Sequence, residues 1–135
     1  MKGKDYISGN HSKFLIRYHI ILVCKYRKKL LAGKIAEDMK RIVRDISDRS
    51  GFDIEVMESD IDHIHLLVEA APRLSPLQIV RRIKQMSTWA VWKKHGVELS
   101  RQFYRERTFW TDGYFVSSVG NVSQAAVREY IENQG

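Results

Sequence analysis

The chain has one cysteine, Cys24, and two prolines in 135 residues. A lone thiol excludes an internal disulfide framework and fits a reducing compartment, so a cytoplasmic location is expected. Cys24 is expected to pack as a small hydrophobe. The uninterrupted apolar runs are short, which excludes a membrane-spanning helix. Residues 1–15 are partly basic but have no continuous apolar stretch, so no secretory signal is expected there. No repeat, low-complexity tract or Pro/Gly-rich linker divides the chain. One domain over residues 1–135 is therefore expected, with residues 1–13 as a flexible N-terminus.

Hydrophobic residues make up 44% of the chain, enough to bury a core. Lys and Arg number 23 against 16 Asp and Glu, for a net charge of +7 and a pI of about 9.6. That excess favours a polyanionic partner, of which nucleic acid is the usual one.

Residues 14–26 alternate as a strand: Ile16, Tyr18, Ile20, Leu22 and Cys24 on one face, Arg17, His19, Ile21, Val23 and Lys25 on the other. The first set is the expected core face. Residues 33–51 carry a helical stripe of Ile35, Met39, Ile42, Val43 and Ile46, with Gly51 as the stop. Residues 52–70 read as two strands turning near 59–62 on Ser59, Asp60 and Asp62. A second helix starts at Ser75 as N-cap, with Pro76 in the first helical position and Gln78 closing a capping box. Ile79, Ile83, Met86 and Ala90 continue its stripe, and Gly96 is the expected stop. Trp89 and Trp92 are expected in the core or an interface. Residues 97–112 read as a basic, aromatic surface loop, 113–120 as a fourth strand, and 121–135 as a closing helix capped by Asn121 or Ser123.

The first six elements follow the βαββαβ order of a ferredoxin-like α+β fold: an antiparallel sheet with both helices on one face and the other face open. Parity then decides where two of the five histidines go. In the stretch "DHIHLLVEA", Ile64, Leu66 and Val68 belong to the core face, so His63 and His65 share the open face. Two imidazoles there can share a divalent ion or contact phosphate. On the closing helix, Tyr130 and Gln134 stand one turn apart, offering a phenol nucleophile and a neutral oxygen ligand.

His63-Ile64-His65 resembles the histidine–hydrophobic–histidine motif of HUH nucleases. "YIENQ" resembles the Tyr-x-x-x-Gln signature of the single-tyrosine transposases of the insertion-sequence 200/605 group, and "YHIILVCKYRKKLL" and "FWTDGYFVSSVG" are similar to stretches of that group. The resemblance runs from about residue 14 to the end. It implies that His63, His65 and Gln134 hold a divalent metal, Mg²⁺ or Mn²⁺. Tyr130 would attack a DNA phosphate to give a 5′-phosphotyrosine and a free 3′-OH. The implied substrate is single-stranded DNA with subterminal hairpins, handled by a homodimer in which one subunit's tyrosine helix can complete the other's histidine site. The link "SVGNVS", with Gly120, would let that helix swing.

DNA contacts are expected from Arg17, His19, Lys25, Arg27 and Lys28 near the first strand. Arg101, Arg105 and Arg107 interleave with Phe103, Tyr104, Phe109 and Trp110 and are further candidates. His19 is also a candidate helper for Tyr130, facing the same open side. Three alternatives stay open: a non-catalytic single-stranded DNA- or RNA-binding module on the same fold, a replication initiator or relaxase, and a host-adopted nuclease acting on repeat hairpins.

Overall fold

The computed structural model describes residues 15–118 and 123–134. The expected N-terminus over 1–13, the cap at Asn121 and the link through Gly120 lie outside the described residues. The chain runs β1 (Ile16–Val23), a 3-10 turn (Lys25–Arg27), α1 (Gly33–Ser50), β2 (Asp53–Ser59), β3 (His63–Ala70), α2 (Pro76–Ser100), β4 (Phe115–Ser118) and α3 (Gln124–Glu132). The four strands form one antiparallel sheet in the order β2-β3-β1-β4. That is the ferredoxin-like arrangement.

Alternation in β1 and β3 sorts their side chains as parity requires. Ile20, Leu22 and Cys24 from β1 and its end meet Ile64, Leu66 and Val68 from β3 in one core. Beneath them α1 contributes Ile35, Met39, Val43 and Ile46, and α2 contributes Ile79, Ile83 and Val91. Burial pushes the Cys24 thiol up to about 12, so it is an inert packing group.

Ser75 accepts from the Gln78 amide while the Gln78 side chain accepts from the Ser75 amide, the reciprocal cap expected at the start of α2. The end of α2 differs from the sequence reading. Gly96 does not stop it; the helix bends at His95 (φ −124, ψ 28) and continues to Ser100 because Leu99 is fully buried. Trp92 belongs to the core, whereas Trp89 stands two-thirds exposed at 67%. Within the segment read as a surface loop, Phe103, Phe109 and Trp110 are buried, and Cys24 pairs with Trp110 in a one-residue bridge.

His95 Nε2 is also 2.7 Å from Oδ2 of the buried Asp38, tying α2 to α1. The His95 hydrogen bond, helped by Lys94, Lys34 and Arg41, holds the Asp38 carboxyl below its ordinary value of 3.8 against the opposing effect of burial. A lowered folded pKa means this stability is present above the unfolded value and lost as pH falls through the folded one. Asp38→Asn is therefore expected to lower Tm at neutral pH and to cost progressively less below about pH 4, which melts across that range will check.

Candidate active site

His63 and His65 project from β3 on the side away from the two core helices, and His19 joins them from the neighbouring β1. The register sets Ile21 opposite His65, which brings His19 onto its diagonal. His19 Nδ1 lies 2.8 Å from His65 Nε2, and the two rings stack with centroids 5.1 Å apart. On the other flank β2 places Glu58 opposite His65, its carboxylate 3.8 Å from Nδ1. Burial, and then the neighbouring His19, hold the His65 imidazole below its ordinary value, so it is neutral at pH 7. A neutral imidazole is the ligating form.

His63 is held by a residue that the sequence reading placed only in a turn. Asp62 Oδ1 accepts from His63 Nδ1 at 2.8 Å, and Asp62 Oδ2 accepts from Arg27 Nε at 3.1 Å. Burial alone would raise the Asp62 carboxyl. The His63 and Arg27 hydrogen bonds outweigh it and leave the carboxyl below its ordinary value. A charged Asp62 fixes the His63 tautomer with the proton on Nδ1 and directs the Nε2 lone pair outward, as carboxylates behind metal-binding histidines do. A carboxylate beside a strand histidine was the signal available in the sequence. Arg27 reaches Asp62 from a left-handed backbone (φ 54), directly after Tyr26 in the same region (φ 58). For two non-glycine residues this is strain of about 1–3 kcal/mol each, of a kind concentrated at functional sites.

The imidazoles open onto a cavity of about 750 Å³, walled by His19, His63, His65, Arg27, Glu58 and Asp60, with α3 across it. The face predicted to be open is thus partly covered, and α3 turns Gln124, Val127, Arg128 and Ile131 toward the histidines. Tyr130 does not line the cavity, and neither does Gln134, which follows the end of α3 at Glu132. The Tyr130 ring packs against Phe115, and its hydroxyl sits 3.5 Å from where a β-carbon on Gly113 would stand. That hydroxyl is buried with no hydrogen-bond partner of good geometry, as is the Thr111 hydroxyl beside it. Burial pushes the phenol above its ordinary value, with Thr111 drawing it partly back. Tyr130 is a half-buried, protonated phenol in this position. The Gln134 side chain donates to the Tyr130 carbonyl at 3.2 Å.

A family model described as "Transposase IS200 like" matches residues 12–134. The chain belongs to the IS200-like transposase family. It is 29% identical over 133 residues to the ISDra2 transposase TnpA of Deinococcus radiodurans, covering 98% of this chain and 89% of that one. It is 31% identical over 124 residues to the transposase for insertion sequence element IS200 of Salmonella typhimurium, covering 92% and 80%. A crystal structure of a transposase from Deinococcus radiodurans R1 superposes with a TM-score of 0.85 at 28% identity, over 94% of this chain and 96% of that one. A REP-associated tyrosine transposase bound to a REP hairpin shares the fold, with a TM-score of 0.57 at 11% identity over 93% and 68%.

In this IS200-like transposase two of the candidate DNA-contacting residues, His19 and Arg27, line the histidine cavity. The others lie elsewhere. Arg17 pairs with Glu55 at 2.8 Å, and Lys25 pairs with Asp112 at 3.1 Å. Lys28 stands over the Phe103 ring, and Arg105, with a left-handed backbone (φ 56), covers the exposed Tyr104.

The donor chemistry at the cavity fits a divalent ion. His63 presents a free Nε2 backed by a carboxylate, and His65 is held neutral beside it. Among the described residues no three His, Cys, Asp or Glu side chains stand close enough to hold one together. Asp62→Ala is expected to weaken Mn²⁺ binding by about 10–100-fold in a calorimetric titration, and to lower Tm at neutral pH because the bonds to His63 and Arg27 that hold its carboxyl down are lost.

Proposed function

We propose that this transposase cuts and rejoins single-stranded DNA through a covalent bond to Tyr130. The observation that carries the reading is the pair of oriented imidazoles, His63 and His65, facing a cavity roofed by the helix that bears Tyr130. In the proposed reaction the Tyr130 oxygen attacks the phosphorus of a phosphodiester, and the bond to the 3′ oxygen breaks. The 3′ oxygen leaves as a hydroxyl after taking a proton, and the 5′ phosphate stays on Tyr130. A 3′-OH from another end then attacks that phosphotyrosine, giving back the phenol and a continuous strand. The ester bond is conserved at each step, so neither ATP nor water is consumed.

His63 and His65 would hold Mg²⁺ or Mn²⁺, and Gln134 would supply the third protein ligand. When bound, the ion polarises the phosphoryl group and steadies the charge that develops on it. Arg27, which lines the cavity, would meet a phosphate oxygen while keeping Asp62 charged. His19 Nδ1 lies 2.8 Å from His65 Nε2, so His65 would exchange that contact to ligate an ion through Nε2.

Tyr130 and Gln134 must change position to reach the histidines. Turning α3 over its own site would do it, and so would delivering α3 to a second subunit. We favour the homodimer with shared sites, because the parked phenol faces β4 and the 111–113 segment rather than its own cavity. The proposed substrate carries subterminal hairpins, and the proposed setting is the cytoplasm. Among the described residues no helix is long and apolar enough to cross a membrane.

The test is a denaturing gel of labelled single-stranded oligonucleotides from the element's ends, incubated with protein and Mg²⁺ or Mn²⁺. Cleaved strand plus a slow protein–DNA band, both abolished by chelator, is the expected result. Retarded DNA on a native gel with neither product would leave a binding module instead.

A further inference from the structure

On the helix side of the sheet, a groove of about 550 Å³ runs between α2 and the 107–112 segment, and it shares no lining residue with the histidine cavity. Its chemistry is aromatic and cationic. Trp89 forms one wall and is the most exposed tryptophan of the three, at 67%. Trp92 lies deeper, held by its indole N–H donating to the Thr108 carbonyl at 2.9 Å. Lys93 stands 4.9 Å over the Trp89 ring, and Arg107 stands 5.6 Å over Trp92.

Both of these cations stand over an indole of the groove. Among the described residues neither Lys93 nor Arg107 is neutralised by a carboxylate partner, whereas Lys25, Arg27 and Arg49 each are. The acid that lines the groove, Asp112, is already taken by Lys25. Lys84 at the base is committed to the backbone, donating to the carbonyls of Asp112 at 2.9 Å and Gly113 at 3.2 Å. An exposed indole that already holds one cation, and two cations without carboxylate partners, are complementary to a planar base flanked by phosphates. A second copy of the chain would bring cation against cation here.

We propose that this groove is a second nucleic-acid site that takes an unpaired base of single-stranded DNA. The base stacks on Trp89 in place of the Lys93 ammonium, and Lys93 and Arg107 hold the phosphates on either side. The site is separate from the strand-transfer chemistry and needs no metal. Its lining, however, includes Thr111 and Asp112, next to the Gly113 against which the Tyr130 hydroxyl packs, so an occupied groove borders the tyrosine's position.

The test is tryptophan fluorescence of metal-free full-length protein titrated with an eight-residue oligothymidylate, which reads binding independently of strand transfer. In wild type the oligonucleotide quenches the emission. Trp89→Leu is expected to remove most of that quench and weaken binding by at least about fivefold, read by anisotropy of labelled oligonucleotide. Lys93→Gln, which keeps Trp89, is expected to weaken binding and to lower the slope of log affinity against log salt by about one. Both positions are exposed, and unchanged melting curves will confirm that both variants fold. Wild-type affinity in both variants would overturn the proposal. So would a Trp89→Leu protein that sediments as a smaller species than wild type yet binds the oligonucleotide normally, which would make the groove a self-association surface.

Discussion

Replacing His63 and His65 together by alanine is expected to weaken Mn²⁺ binding at least about a hundredfold, beyond what losing a supporting carboxylate does. Strand cleavage should fall by about a thousandfold or more. A Lewis-acid ion contributes several kcal/mol to a phosphoryl transition state, and each 1.36 kcal/mol is a decade in rate. Stability should barely change, because both side chains stand on the cavity face and neither belongs to the hydrophobic core. The residue between them provides the contrast. Ile64 points through the same strand into the core and is fully buried. Ile64→Ala is expected to cost about 2–5 kcal/mol of stability while leaving both imidazoles in place. Metal titration, cleavage rate and thermal melts on the two variants will separate the faces of one strand.

Tyr130→Phe is expected to abolish the covalent adduct and to cut strand transfer by about a thousandfold or more, as loss of a nucleophile does. It should leave stability unchanged or slightly raised. The hydroxyl is buried beside Thr111 with no partner of good geometry, and such a group carries a desolvation cost of about 1–3 kcal/mol that phenylalanine avoids. The ring itself keeps its packing against Phe115. A raised folded pKa also means that the parked state is favoured below pH about 10 and weakened as pH rises beyond it. Mixing this variant with the His63→Ala/His65→Ala variant tests the shared-site homodimer. Random exchange makes half the dimers mixed with one competent site each, so about a quarter of wild-type activity should return. No recovery after verified subunit exchange would place Tyr130 at its own histidines.

Much of this was legible in the sequence because strand parity is rigid. Once Ile20, Leu22, Ile64 and Leu66 are assigned to the core, the faces of His19, His63 and His65 follow, and register places His19 beside His65. The α2 cap was legible because Ser75, Pro76 and Gln78 act within four residues of one another. The end of α2 was not. A glycine at 96 signals a stop, but burial of Leu99 a turn later outweighs it.

The rotation of α3 was also out of reach. Its spacing puts Tyr130 and Gln134 on one side, yet packing decides which side meets the histidines, and Val127 and Ile131 occupy that position. Asp62 looked like turn chemistry because its partner Arg27 is distant in sequence. The Trp89 groove depends on where the 107–112 segment lies along α2, which no local pattern encodes.

The most direct measurement is mass spectrometry of the trapped adduct. Protein is incubated with a single-stranded end oligonucleotide and Mn²⁺, digested, and the nucleotide-bearing peptide sequenced. The expected result is a 5′-linked phosphate on Tyr130, present with metal and absent with chelator. Cleavage with no protein-linked DNA, or a phosphate carried by an exposed tyrosine such as Tyr26 or Tyr104, would contradict it.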